Sequence, residues 1–251
     1  MQTFLNLLKK SPAGPVFNPW HHRDPDHDAS SRAPAIRRAQ LEAYLAERRE
    51  AKYILLAEAL GYQGGHFTGM AMTSERLLLG HLEGKGLSPG MVLRTLPPRR
   101  TSSDRVKPDG FTEPTCTIVW GALRTLGVDP RSVILWNAFP WHPYKPDKGM
   151  LSNRTPTDEE VLCGRPVLQA LLHCVPQARI LAVGQKSAAL LLAMGLTAPA
   201  LRHPANGGAG QFRTQFARAL QNPGGSFPNV DTLRAKVMAK DIPSPLPRRR
   251  T

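Results

Sequence analysis

Acidic residues and cysteine are scarce in this 251-residue sequence, and long apolar runs are missing. Its three cysteines, Cys116, Cys163 and Cys174, cannot build a disulfide framework without leaving an odd thiol, and none forms a C-x-x-C pair. A structural zinc ribbon or a four-cysteine iron–sulfur site is excluded by count. No stretch approaches the ~18 consecutive apolar residues of a membrane helix. The opening Met1 to Lys10 has too short an apolar core for a secretory signal, so the chain is expected to be soluble and cytoplasmic. There is no internal repeat. At roughly 150 residues per domain, the length fits one large domain with tails, or at most two.

Basic residues, by contrast, are abundant: 33 Lys and Arg stand against 19 Asp and Glu, a net charge of +14. They concentrate at Arg37-Arg38, Arg48-Arg49, Pro97-Pro98-Arg99-Arg100 and Arg248-Arg249-Arg250. Such an excess fits a polyanionic partner, because each neutralised phosphate releases counterions. An idle basic surface would look the same, so the motifs must decide.

Residues 11 to 34 are rich in Pro, His and Asp and follow neither hydrophobic period, which reads as an extended N-terminal segment spanning about residues 1–30. Ser31 to Arg49 places Ile36, Leu41, Tyr44 and Leu45 at helical spacing. Short apolar runs at Tyr53–Ala57, Ser132–Asn137, Arg179–Gly184 and Leu201–Pro204 read as strands. Helices are expected between them at Cys116–Leu126, Thr157–Leu172 and Gln185–Met194. Strands alternating with helices imply βαβ units, hence a three-layer α/β/α sandwich around a mainly parallel sheet of about four strands. The catalytic domain would run from 31 to 223. Residues 224–251, with Pro, Ser and the Arg triplet, are expected to form a basic tail.

In such sheets ligands bind beyond the carboxyl ends of the strands, so three loops should converge. The first runs from Ala57-Glu58-Ala59-Leu60-Gly61-Tyr62 through His66-Phe67 and Met72 to Glu75. The second is Leu135-Trp136-Asn137-Ala138-Phe139-Pro140-Trp141-His142-Pro143, followed by Asn153-Arg154-Thr155-Pro156-Thr157 and Glu160. The third is Arg202-His203-Pro204-Ala205-Asn206-Gly207-Gly208. A carboxylate, a carboxamide and an imidazole past successive strand ends can form one polar pocket without a metal. Taken singly, Glu58 reads as a helix cap, Asn137 as a turn residue and His203 as a structural donor. Their joint recurrence at strand ends is harder to explain by packing.

In this order the loops resemble those of the uracil-DNA glycosylase superfamily, especially its bacterial branches with a Gly-Glu-Ala-Pro-Gly first motif. The resemblance runs from about Tyr53 to Phe212 and includes Glu113-Pro114-Thr115 to Trp120 and the Val183-Gly184 strand end. It implies a monofunctional glycosylase that flips a nucleotide and hydrolyses its N-glycosidic bond, acting on double- or single-stranded DNA as a monomer without a cofactor. By matching position, His203 would donate to the departing base and Asn137 would read the pyrimidine edge. Glu58 would activate water or support the cationic sugar. The base pocket would comprise Gly61, Tyr62, His66, Phe67 and Met72. DNA contacts are expected from Arg99, Arg100, Arg105, Arg202, Asn206, Gly207, Gly208, Gln211, Phe212 and Arg213, with Phe212 or Gln211 standing in for the family's apolar wedge.

Two departures bear on the substrate. Met72 falls where the family has the aromatic that stacks on the flipped base, and Gly61 falls where the best-known uracil enzymes carry a Tyr that bars C5 substituents. Both are compatible with uracil and with a larger 5-substituted pyrimidine, such as the hydroxymethyl or glucosylated hydroxymethyl cytosine of some phage genomes. The latter would make the enzyme a defence against foreign DNA. Leu60 also replaces the motif's Pro. Some branches carry a four-cysteine iron–sulfur cluster, but only Cys163 lies near one of its positions, so none is expected. The His21-to-Asp28 run matches no metal-ligand spacing. A catalytically silent DNA-binding module and a small-molecule α/β enzyme are the competing readings; the second fits the charge poorly.

Overall fold

The computed structural model describes residues 1–222; the expected basic tail from 224, with Arg248–Arg250, lies outside them. Six strands are present among these residues. They are β1 (Val16–Phe17), β2 (Tyr53–Ala59), β3 (Val133–Phe139), β4 (His142–Pro143), β5 (Arg179–Val183) and β6 (Ala200–Leu201). The central sheet is fully parallel in the order β3-β2-β5-β6, with Leu56 opposite both Trp136 and Ala182. Every residue of β3 is buried, as a parallel strand covered on both faces must be. Helices pack on the two faces, giving the three-layer sandwich, and the carboxyl ends of the strands open on one side.

Local chemistry sets the helix limits. The helix Ala33–Ala46 starts with Pro34 in its first turn and buries Ala33, Arg37, Gln40, Leu41, Tyr44 and Leu45, one face at helical spacing. Pro114–Thr125 is capped by the Glu113 side chain, which accepts from the Thr115 N–H. The single helix expected over Thr157–Leu172 is two: Asp158–Cys163, opened by a Thr157–Glu160 capping box, and Arg165–Cys174. The break falls at Gly164 because any Cβ there would collide with the Ala138 carbonyl, and Pro166 starts the next helix.

The first thirty residues are built into the domain, against the expectation of an extended segment. Gln2–Leu8 is a helix that buries Phe4 and Leu8, and the Phe4 ring lies 5.2 Å from Trp136. Strand β1 pairs antiparallel with β4, Val16 opposite Pro143 and Phe17 opposite His142. The Leu8 carbonyl accepts from Trp141 Nε1 at 3.0 Å and from Asn18 Nδ2 at 2.7 Å.

Two of the clustered arginines are not surface charge at all. Arg37 is fully buried and holds Asp28 through both terminal nitrogens, at 2.7 and 2.9 Å. Arg48, also fully buried, donates to the carbonyls of Tyr44, Met91, Val92 and Val133 and stacks 3.7 Å over the Tyr44 ring. Both act as internal cross-links and cannot meet a phosphate.

Candidate active site

A cavity of about 550 Å³ opens at the carboxyl ends of the strands, within the range that takes a small polar ligand. The structure brings Glu58, Asn137 and His203 into its wall, together with Gly61, Tyr62, Met72, Arg202 and Asn206. Glu58 projects from the end of β2 and Asn137 from β3, in adjacent strands where Ala57 pairs with Asn137. His203 follows β6.

The three groups are poised differently. Burial pushes the Glu58 carboxyl above its ordinary value, and the nearby Lys186 ammonium opposes this. Lys186 lines the same cavity and pairs with Asp158 at 2.5 Å. Asn137 is buried, yet no hydrogen bond engages its carboxamide among the described residues, which leaves its N–H donors and its carbonyl oxygen for a ligand. The Ala205 N–H donates to His203 Nδ1 at 3.2 Å, so the neutral ring carries its proton on Nε2. Burial, then the Arg202 charge, lowers the His203 pKa. At neutral pH this histidine is an uncharged N–H donor.

Backbone conformation shapes the wall. Met72 has φ of +49°, uncommon for a residue with a side chain, and its carbonyl accepts from Trp120 Nε1 at 3.2 Å. Asn206 shares the left-handed region, with φ of +52°. Gly208 is required by contact: a Cβ would run into the His203 carbonyl.

Other expected residues lie elsewhere. His66 and Phe67 do not line the cavity; one helical turn, Gly65–Thr68, carries both inward to full burial. His66 stacks 4.0 Å from Phe17 and bridges Asp24, 2.9 Å from Nε2, to His142, 3.0 Å from Nδ1. His142 Nε2 donates to the Ser152 carbonyl at 2.8 Å, which leaves its Nδ1 to accept from His66. Phe67 stacks on Phe111 at 4.0 Å. Phe212 is fully buried beside Phe216 in the helix Ala209–Gln221, so it is a core residue and no wedge. Arg100 spends its guanidinium on the Lys107 and Pro108 carbonyls. Arg99, Arg202, Asn206, Gly207, Gln211 and Arg213 are exposed, whereas Gly208 is buried.

Some wall residues went unrecognised. Arg154, flagged only as part of a loop, grips Glu160 through two contacts of 2.6 and 2.7 Å and donates to the Tyr144 and Pro15 carbonyls, so it fixes one rim. Glu113 stands beside Gly61, and a Cβ on that glycine would overlap its Oε2. The room that Gly61 leaves is therefore taken by a carboxyl group.

The family model described as "Uracil DNA glycosylase superfamily" matches residues 50–251. The chain belongs to the uracil-DNA glycosylase superfamily. This membership supports a DNA glycosylase, a hydrolase acting on DNA. Wild-type SMUG2 of Pedobacter heparinus shares the fold, with a TM-score of 0.56 at 14% identity over 90% of this chain and 100% of that one. No curated relative matches the sequence. No helix among the described residues is long and apolar enough to cross a membrane.

Proposed function

We propose that this glycosylase is monofunctional: it flips a pyrimidine nucleotide from DNA into the cavity and hydrolyses the N-glycosidic bond to leave an abasic site. The observation that carries the reading is the convergence of three groups with unspent capacity: the raised Glu58 carboxyl, the unengaged Asn137 carboxamide and the His203 Nε2–H. The C1′–N bond breaks with its electron pair passing to the base, and the His203 Nε2–H stabilises the resulting anion without itself being charged. Water adds to C1′ and gives its proton to Glu58, which as a carboxylate also supports the cationic sugar. Asn137 pairs with the base edge; its amide can turn either way, so it suits uracil-like and cytosine-like rings alike.

The base is uracil or a 5-modified pyrimidine. Arg202 lines the cavity, and exposed Gln211 and Arg213 follow in the helix after the same loop; these three would meet DNA phosphates or the gap left by the extruded base. The test is abasic-site formation on matched duplexes containing uracil, 5-hydroxymethyluracil, 5-hydroxymethylcytosine, glucosylated hydroxymethylcytosine or cytosine, with Glu58→Ala as control. Release of uracil alone makes this a repair enzyme, and release of only bulky bases makes it an antiviral one. Binding without release from any duplex overturns the proposal and leaves a silent DNA-binding module.

A further inference from the structure

Two neutral rings cannot make the contact between His66 and His142. His66 Nε2 lies 2.9 Å from Asp24 Oδ2; Asp24 is ionised, its carboxyl held at about 2, so it only accepts and Nε2 carries a proton. His142 Nε2 lies 2.8 Å from the Ser152 carbonyl, which also only accepts, so this nitrogen carries one too. The remaining pair, His66 Nδ1 and His142 Nδ1, face each other at 3.0 Å. With both rings neutral, two lone pairs would meet there, and a hydrogen bond needs a third proton between them. The four ring nitrogens therefore share three protons, and the two rings together form one cation.

The surroundings offer one counter-charge. Of the charged groups facing the rings, Arg37 is bound to Asp28 at 2.7 and 2.9 Å, and Arg154 to Glu160 at 2.6 and 2.7 Å, so each pair cancels. Asp24 remains, wholly buried, with His66 on one side and the partly exposed His27 on the other, its Nδ1 2.9 Å away. Burial works against a charge on His66, and the Asp24 carboxylate favours it. His142 is pushed down to about 3 by burial and then by the His66 charge, so the rings take one shared proton and not two.

The two rings join separate stretches of the cavity wall. His66 follows Tyr62 and Gln63 in the first loop, and the Tyr62 ring lies 6.5 Å from His142. Ser152, held by His142, directly precedes Asn153, Arg154 and Thr155, which all line the cavity. We infer that His66 and His142 are positioning residues that share one buried proton, and that this proton clasps the first loop to the rim formed by residues 153–155. Its loss sets two lone pairs against each other, so His142 must turn away and release the Ser152 carbonyl. The inference rests on the glycosylase reading above only for its effect on rate.

The test combines three pH series on the full chain. They are NMR with isotope-labelled histidine, amide exchange at Arg154 corrected for its intrinsic pH dependence, and single-turnover excision from whichever duplex of the panel above is cut. The Arg154 N–H donates to the Pro143 carbonyl at 3.3 Å and reports the rim. In mild acid a low-field proton should link His66 to His142, with three of the four nitrogens protonated. As pH rises and that proton leaves, Arg154 exchange should quicken and excision should slow at the same midpoint, each by about tenfold, the order of loss expected from a small misplacement. His142→Gln supplies an amide that donates to a neutral His66 and to Ser152 together, so both transitions should vanish while excision in mild acid stays within about threefold. Asp24→Asn removes the charge that favours the proton, so the midpoint should move to lower pH. Thermal unfolding checks that both variants fold. Two neutral rings throughout, a proton lost without effect on Arg154 exchange or on rate, transitions that persist in folded His142→Gln, or a midpoint unmoved in folded Asp24→Asn overturns this inference and leaves the glycosylase reading standing. Release of no base from any duplex overturns that reading, and NMR and exchange still decide the clasp.

Discussion

The Ala205 backbone N–H and His203 Nδ1, 3.2 Å apart, decide which ring nitrogen keeps its proton. The donor presented to a ligand is then Nε2–H, and the ring's lowered pKa keeps it neutral at physiological pH. His203→Ala should reduce single-turnover excision by roughly 10² to 10³, the cost of removing one preorganised donor, while leaving duplex affinity within about twofold. Fluorescence anisotropy alongside the cleavage assay checks this; parallel loss of binding would reassign His203 to DNA contact.

The acid side of the rate profile should belong to Glu58, which must be ionised. Burial raises its pKa and Lys186 restrains the rise, so Lys186→Met should move the acid limb to higher pH. Lys186→Arg should restore it. A limb that stays in place would remove Lys186 from the electrostatics of the site.

Phe212 offers a different contrast. As a fully buried ring, its replacement by Ala should destabilise the fold by about 3–5 kcal/mol in denaturant titrations. The salt dependence of DNA binding, measured below the unfolding transition, should not change. Arg202→Ala and Arg213→Ala should do the opposite, each lowering the salt slope by about one with little effect on stability.

Asp24 governs stability in acid. Burial would raise its carboxyl, but hydrogen bonds and attraction from His66 and His27 hold it at about 2, against an ordinary 3.8. A depressed carboxylate stabilises the fold above the unfolded value and loses that contribution as pH falls, here between about pH 4 and pH 2. The amount is about 2 kcal/mol at ~1.4 kcal/mol per unit. Unfolding free energies over this window should decline less steeply in Asp24→Asn than in the unchanged protein.

Most of the sheet was legible because parallel strands announce themselves as apolar runs: Tyr53–Ala57 and Ser132–Asn137 fall within one or two residues of β2 and β3. The N-terminal segment was not, because polar ties across the chain order it, such as Arg37 to Asp28 and Asn18 to Leu8, and these carry no periodicity. The helix holding Phe212, Phe216 and Ala219 did carry a signal, apolar residues at helical spacing, but its position after the glycine loop suggested a wedge instead. His66 and Phe67 misled for a related reason. Proximity in sequence to Tyr62 says nothing of direction once a single helical turn intervenes. Glu113 could be read as part of a motif, but its fit depends on the absence of side chains at Gly61 and Gly64, a relationship only coordinates express.

The pairing of β1 with β4 also bears on how the protein is made. A ribosome releases Val16 and Phe17 long before His142 and Pro143 exist, so the first strand must wait, apolar and unpaired, while most of the domain is synthesised. The rim that Arg154 ties to Pro15 closes later still. The cavity is therefore among the last parts to form, and an incomplete chain, however much of its sheet has assembled, lacks a finished rim.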